Sequence, residues 1–195
     1  GCNEIATVIP DYYMFVLPFL YNDLDELMHV ANTEEVKAKV DELTSSKGIT
    51  LVGFSSGEER GLSNIRGKVE KPEDMAGLTF RIMAGSIYVD TFSALNASTS
   101  TMAFSEVYSS LQQGVIDGED NGVGMLVDMK FTEVEKYHTP LKHMMQCNPL
   151  LVSTEVWNLL SPEQQEIIKE VEAEWVNSYY DYYREYIETK ENEAA

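Results

Sequence analysis

The 195-residue chain is long enough for one domain or two small lobes, and its hydrophobic content of 44% is typical of a folded globular protein. Its 33 acidic and 14 basic residues give a formal net charge of −19, which argues against nucleic acid and anionic membranes as partners but leaves room for a small anion in a local arginine pocket. No apolar run approaches the ~20 residues of a membrane span, so we expect no direct membrane insertion.

The N-terminal Gly1-Cys2 leaves two interpretations open. It is compatible with the remnant of a lipoprotein cleavage site, which would make the protein lipid-anchored, and with an internal cysteine, which we favour. A mature secreted chain and an excised fragment would both begin without a signal peptide. Cys147 is the only other cysteine in the sequence, and two cysteines make no disulfide framework, so a bond between them stays open.

Capping and hydrophobic patterns predict helices and strands through the first half of the chain. In chain order, the predicted elements are a helix that opens with a capping box at Asn32–Glu35 and runs to about Ser46, a buried strand at Ile49–Phe54, a loop or ribbon of short strands at Ser55–Lys71, a helical turn at Pro72–Gly77, a strand at Thr79–Met83 and a helix at Ser86–Leu95.

The stretch from Met102 to Asn121 is the most informative part of the sequence. Ser105 can cap a helix, and Gly114 stands where a helix needs a left-handed residue at its end. Val115-Ile116 is predicted to form a short buried strand, from whose end Asp117–Asn121 emerges as a polar turn. Because open α/β sheets bind ligands at the carboxyl ends of their strands, this turn is a candidate ligand-binding segment.

The clearest helix lies at the C-terminal end, after a predicted helix at Val123–Phe131 and a strand at Leu150–Ser153. Ser161–Gln164 supplies an N-cap, a proline at the first helical position and a glutamine at the third. An apolar and aromatic stripe then recurs every three or four positions, at Ile168, Val171, Trp175, Tyr179, Tyr182 and Tyr186. It predicts a helix of about 29 residues and roughly 43 Å, too long for one small lobe but able to span two.

Arginine is scarce, and Arg81 lies within the predicted strand Thr79–Met83. An unpaired guanidinium would be costly to bury there, so two interpretations are open. Arg81 either forms a salt bridge with one of the 33 carboxylates or, as a fork-shaped donor at a strand end, binds the carboxylate of a ligand.

The chain contains no sequence motif for a hydrolase nucleophile, a phosphate loop or a dinucleotide site. His138, His143 and Cys147 lack a second pair of metal ligands. Asp117–Asp128 imitates an EF-hand loop, but Glu119 stands at its third position and a strand pattern precedes it. We therefore predict that the protein is not an enzyme and has no cofactor and no metal site.

Six segments, each weak by itself, form an ordered series that covers nearly the whole chain. They are Ile9–Leu20, Arg60–Arg66, Pro72–Arg81, Met102–Tyr108, Gly114–Asn121 and Trp157–Gln164. This series resembles the periplasmic solute-binding proteins of tripartite ATP-independent (TRAP) transporters.

The resemblance implies an α/β fold, a two-lobed clamshell with a long helix crossing both lobes. Residues 1–56 and 148–195 would form the first lobe, and residues 57–147 would form the second. The family's opening β-α-β region and its final segment have no counterpart here. We therefore expect an incomplete first lobe, whose sheet shows an unpaired edge or an open apolar face.

The resemblance also implies a set of ligand-binding residues. The family's main carboxylate-binding arginine falls on Arg81, and a second ligand-contacting arginine falls on Arg60. The ligand-contacting aromatic residue and asparagine fall on Phe104 and Asn121. Asn148, near the point where the chain crosses back between the lobes, is a further candidate.

The sequence departs from the family pattern beside two of these positions. Met83 and Ala84 stand where several relatives place a proline and a polar residue, and Glu119-Asp120 replaces the more usual Gln-Glu. The expected function is nevertheless that of the family, an extracytoplasmic or periplasmic protein that captures a small organic acid and delivers it to TRAP membrane permease subunits. The alternative is the ligand-sensing module of a receptor on the same fold, which would bind a carboxylate by the same chemistry.

Overall fold

The computed structural model describes residues 1–194, with all side chains except those of Asn177, Tyr180 and Ala194. It confirms the α/β class, because helices alternate with the strands of two sheets. The chain divides into two compact units. The first consists of residues 1–58 and 144–186, and the second of residues 59–143 and 187–195.

The elements follow one another in chain order. Up to residue 59 they are α1 (Cys2–Ala6), a 3₁₀-helix at Pro10–Phe15, α2 (Leu24–Ala31), α3 (Glu34–Ser45) and β1 (Ile49–Glu59). The second unit then contributes β2 (Gly61–Asn64), a 3₁₀-helix at Pro72–Met75, β3 (Thr79–Ile82), α4 (Ser86–Ala94), β4 (Ser98–Thr101), a 3₁₀-helix at Phe104–Glu106, α5 (Val107–Gln112), β5 (Gly118–Asn121), α6 (Val123–Asp128), a 3₁₀-helix at Phe131–Glu133 and β6 (Tyr137–Thr139). The last elements are β7 (Met145–Ser153), α7 (Thr154–Trp157) and α8 (Pro162–Ala194).

The first unit is built around an aromatic core beside a two-stranded sheet of β1 and β7. The side chains of Tyr12, Phe15 and Phe54 are fully buried. The ring centroid of Phe15 lies 4.9 Å from that of Phe54 and 5.6 Å from that of Tyr12. Such edge-on and tilted contacts between rings add to the free energy gained from burying their area.

The second unit contains a five-stranded mixed sheet in the order β4-β3-β5-β2-β6. Strand β3 runs parallel to β4 and β5, whereas β2 runs antiparallel to β5 and β6. Its buried apolar cluster comprises Val107, Leu111, Ile116, Leu126 and Phe131. This packing fixes α5 and α6, the helices that follow β4 and β5.

Several local predictions are confirmed. Helix α8 begins with the predicted capping box, in which the Gln164 amide donates to Ser161 Oγ at 3.2 Å and the Ser161 amide donates to Gln164 Oε1 at 2.8 Å. Gly77 and Gly114 adopt left-handed φ values of 81° and 68°, as the ends of their helical turns require.

Other local predictions are wrong. The N-cap of α3 is Thr33, whose hydroxyl accepts from the Val36 amide at 3.4 Å, so the cap lies one residue after the predicted Asn32 and forms no capping box with Glu35. Ser105 caps no helix, because it lies within the 3₁₀-helix at Phe104–Glu106. Helices α1 and α2 and strands β4 and β6 were not predicted, since their sequences are short or polar. No helix among residues 1–194 is long and apolar enough to cross a membrane.

The largest error concerns the strand before Asn121. Val115 and Ile116 lie in a bend, and Val115 is 63% exposed. The strand is instead the polar segment Gly118–Asn121, all four of whose residues are buried. The polar residues predicted as a turn are therefore inside the sheet, between β3 and β2.

Candidate functional site

A row of polar residues crosses the whole sheet of the second unit. The register pairs Ser100 with Arg81, Arg81 with Glu119, Glu119 with Ser63, and Ser63 with His138. Paired residues of neighbouring strands project their side chains to the same face of a sheet. Arg81 and Glu119 are therefore neighbours on one face.

Arg81 differs from the other arginines in its partners. Arg60 pairs with Asp120, Arg66 with Asp117, and Arg184 with Asp25. Within residues 1–194, Arg81 forms no ion pair, although it is only 8% exposed. An arginine cannot lose its proton in a protein, so Arg81 is a buried cation that no carboxylate of the described residues meets in a direct ion pair.

The guanidinium of Arg81 also has N–H donors that acceptors of the protein leave largely unused. Its Nη2 donates a long bond of 3.3 Å to the carbonyl oxygen of Met102, and its Nε has no acceptor among the described residues. Burial lowers the pKa of Arg81, with the charges of Asp120 and Glu119 acting in the opposite direction. Such a group gains from any anion that brings two acceptor oxygens to it.

Phe104 forms an apolar wall beside Arg81. The 3₁₀-helix at Phe104–Glu106 places its ring centroid 5.4 Å from Arg81 Cζ, within the range of a cation–π contact. The ring is held by Phe131, whose centroid lies 5.8 Å away. The structure thus brings together the predicted guanidinium and the predicted aromatic residue.

Arg60 is occupied by partners within the protein. It is 2% exposed, and its Nε and Nη2 donate to the carboxylate of Asp120 at 3.1 Å and 2.9 Å. Nη2 also donates to the carbonyl oxygen of Asp120 and, at 3.2 Å, to Oδ1 of Asn121. Its Cζ lies 5.8 Å from the ring centroid of Tyr88. The sequence did not predict this pairing. Through it, Arg60 holds the side chains of Asp120 and Asn121 in place.

The electrostatics of Asp120 agree with that pairing. Burial would raise the pKa of this carboxyl, but the charge of Arg60 and a hydrogen bond from His143 outweigh burial and lower it. Nε2 of His143 lies 3.4 Å from Oδ2 of Asp120. Asp120 is thus an ionised buried group, balanced by Arg60.

Asn121 connects the two halves of this network. It is 7% exposed, and while Oδ1 accepts from Arg60, Nδ2 donates to Oε2 of Glu119. The second oxygen of Glu119, Oε1, has no partner among residues 1–194. Burial and the nearby charge of Asp120 raise the pKa of Glu119 to about 8, so it is protonated at neutral pH.

Glu119 was not predicted as a site residue. The signal that could have found it is its position two residues before the predicted site residue Asn121, since alternate residues of a strand lie on the same face. Its proximity to Arg81 follows only from the strand register.

Asn148 belongs to the first unit, whereas the other four predicted site residues lie in the second. It is half-buried in β7, where Nδ2 donates to the carbonyl oxygen of Ser56 and its own carbonyl accepts from Ser55 Oγ, both at 3.4 Å. These contacts attach Asn148 to β1. In the described part of the chain, no group of three or more His, Cys, Asp or Glu residues is arranged to hold a metal ion.

Comparison with known proteins places the chain among transport proteins. Over residues 1–195 it matches the model of the bacterial extracellular solute-binding proteins, family 7 (DctP). It is 30% identical over 187 residues to the C4-dicarboxylate-binding periplasmic protein DctP of Rhodobacter capsulatus, an alignment that covers 96% of this chain and 54% of that protein. The chain spans about half the length of the curated relatives it matches.

Two solved structures have the same fold. A TRAP periplasmic solute-binding protein from Ochrobactrum anthropi, with its C-terminus bound in the ligand-binding pocket, matches with a TM-score of 0.93 and 26% identity over 100% of this chain and 60% of that one. Another, from Haemophilus influenzae and with bound L-gulonate, matches with a TM-score of 0.90 and 25% identity over 97% of this chain and 62% of that one.

Proposed function

This chain belongs to family 7 of the bacterial extracellular solute-binding proteins, the solute-binding proteins of TRAP transporters, and we propose from that premise that it captures a small organic acid and delivers it to a TRAP-type membrane permease. The family consists of solute-binding proteins rather than enzymes. The protein would act outside the cytoplasmic membrane, in the periplasm or its equivalent.

The observation that carries this proposal is the unpaired guanidinium of Arg81. A buried cation with free N–H donors is energetically unfavourable. A ligand carboxylate would stabilise it by accepting two parallel N–H···O bonds. Phe104 would pack against the carbon skeleton of the ligand. Asn121 would orient a hydroxyl or carboxylate oxygen, while Arg60, whose charge is balanced by Asp120, would hold Asn121 in place.

Asn148 is a separate candidate for a polar contact with a ligand. Its amide is tied to Ser56 by a bond of 3.4 Å, which is long enough to be exchanged for a ligand oxygen. This contact does not involve Arg81. We expect a substitution that removes the Asn148 amide to weaken ligand binding less than a substitution of Arg81.

The charge balance favours a ligand with a single carboxylate. Arg60 is neutralised by Asp120, which leaves Arg81 as the one arginine of the second unit's described residues without an anionic partner. A second carboxylate would find no further unpaired guanidinium among the described residues of this unit, because Asp120 and Asp117 already pair with Arg60 and Arg66. A hydroxylated monocarboxylate, the class to which L-gulonate in the similar Haemophilus influenzae protein belongs, fits better than a dicarboxylate.

Calorimetric titration of the full-length protein with aldonates, uronates and C4-dicarboxylates tests the proposal. We expect a monocarboxylate to bind and Arg81→Lys to weaken its binding by more than about tenfold, because lysine keeps the charge but loses the two-pronged donor. Arg66→Lys is the matched control, since Arg66 already pairs with Asp117 and should leave affinity unchanged. Unchanged affinity in Arg81→Lys would contradict the proposal that Arg81 binds the ligand carboxylate. Failure of every organic acid to bind would contradict the proposed function.

A further inference from the structure

The two cysteines of the chain meet in the core of the first unit, although 145 positions separate them in sequence. Cys2 lies in α1 and Cys147 in β7, and both side chains are fully buried. Their Sγ atoms are 3.1 Å apart.

We propose that Cys2 and Cys147 are joined by a disulfide in the mature protein. A shift of about 1 Å brings two sulfurs from the observed separation to the ~2.05 Å of a disulfide bond. No third ligand competes for these sulfurs, because no metal-binding group of His, Cys, Asp or Glu exists among residues 1–194. The compartment of the family is extracellular, where disulfides form and persist.

The bond forms by thiol–disulfide exchange with an oxidant that itself carries a disulfide. One cysteine attacks the oxidant as a thiolate, and the resulting mixed disulfide is resolved by the second cysteine. Both cysteines give up their protons, one S–S bond forms within this chain, and the two electrons reduce the oxidant's S–S bond to two thiols. Burial raises the pKa of Cys2 and suppresses its thiolate, so the exchange takes place before the first unit closes.

The cross-link ties helix α1 to strand β7 and closes the whole of the intervening chain into a loop. A disulfide that closes a long loop restricts the unfolded chain strongly and thereby stabilises the folded state. It also protects two thiols whose oxidation to polar acids would disrupt an apolar core.

Alkylation of the full-length wild-type protein, exported to an oxidising compartment, tests the proposal without any substitution. After unfolding in denaturant without a reductant, a disulfide leaves both cysteines unmodified by iodoacetamide, and the intact mass is lighter than that of the reduced protein by two hydrogens. Prior reduction in denaturant should make both cysteines reactive. Two alkylated cysteines in the unreduced sample would overturn the proposal.

Thermal unfolding supplies an independent measurement. Reduction should lower the unfolding temperature of the wild-type protein by roughly 5–15 °C. The double variant Cys2→Ala, Cys147→Ala is the control and should not respond to the reductant. A wild-type unfolding temperature that is the same with and without reduction would contradict the cross-link, even if ligand binding is intact.

Discussion

At the scale of single residues, the buried ionisable groups of the second unit are of two kinds. Arg60 and Asp120 compensate each other, whereas Arg81 and Glu119 are adjacent and lack such a partner. The first kind should contribute mainly to stability and the second mainly to ligand binding. Substitutions within each kind can separate these two roles.

Asp120→Ala should lower the free energy of unfolding by about 3–5 kcal/mol, because it leaves the buried Arg60 without its counter-charge. Urea unfolding followed by circular dichroism measures the change. Asp128→Ala is a suitable control, since the ion pair of Asp128 with Lys190 is half-exposed and its loss should move the urea midpoint little. An equally small effect of Asp120→Ala would show that another group balances the buried charge of Arg60.

Ligand affinity should fall as the pH rises through about 8. In the empty site burial and Asp120 raise the pKa of Glu119 to about 8, against the opposing effects of Arg60, Asn121 and Arg81. Below that value the neutral carboxyl leaves Arg81 free for an anion, and above it the carboxylate competes for Arg81. An anionic ligand disfavours the ionised form further, so binding takes up a proton on the alkaline side.

Titrations at pH values on both sides of 8, in buffers of different ionisation enthalpy, measure this dependence. Glu119→Gln keeps the side chain neutral at every pH, so it should remove most of the dependence of ligand affinity on pH. Glu135→Gln is the control: burial and Glu119 raise the pKa of Glu135 to about 10, so Glu135 stays protonated over most of the range. Equal slopes in the wild type and in Glu119→Gln would refute the coupling.

The sequence could place Arg81 within a strand, but it could not choose between a salt bridge and a ligand. That choice depends on which carboxylates the fold brings near the guanidinium, and its neighbour in the sheet is Glu119 of β5, 38 positions after Arg81. For the same reason the engagement of Arg60 by Asp120, 60 residues later, could not be predicted.

At the scale of secondary structure, β5 shows where hydrophobic patterns fail. The apolar pair Val115-Ile116 predicts a buried strand, yet the strand is the polar segment that follows it. Its backbone forms hydrogen bonds with β3 and β2, and the guanidinium of Arg60 donates to the side chains of Asp120 and Asn121. A polar strand becomes stable at the centre of a sheet only when such partners exist, and they lie elsewhere in the chain.

Helix α8 shows the opposite case, because its start is encoded locally. Ser161→Ala should lower the free energy of unfolding by about 1 kcal/mol, since it removes the hydroxyl that accepts from the Gln164 amide. The matched control is Ser178→Ala, an exposed site within the same helix whose hydroxyl bonds only to the Glu174 carbonyl. That change should be neutral or slightly stabilising, because alanine has the higher helix propensity. Equal losses in both variants would argue against the cap.

At the scale of the whole chain, resemblance to a family was more informative than periodicity. The ordered segments identified the α/β solute-binding fold, and matches to solved structures with TM-scores up to 0.93 confirm it. Hydrophobic patterns alone could not have done so, because the short strands β2 to β6 carry mostly polar residues, as Gly118–Asn121 does. The pairing order of such strands depends on contacts across the sheet.

The sheet of the second unit should form before that of the first. All five of its strands lie between residues 61 and 139, whereas β1 must wait for β7. Pulsed hydrogen exchange during refolding should therefore protect amides of β3 and β5 earlier than amides of β1 and β7, because closing the shorter loops costs less entropy. Simultaneous protection of both sheets would contradict this order.

The discontinuity of the first unit also has a consequence for biosynthesis. A nascent chain emerges from its N-terminus, so β1 leaves the ribosome long before β7, and the entire sheet of the second unit is made in between. During that interval β1 offers unsatisfied backbone groups to any neighbouring strand. Slow export or a stall after residue 143 would prolong this exposure, which makes the β1 segment the part of the chain most in need of a chaperone during secretion.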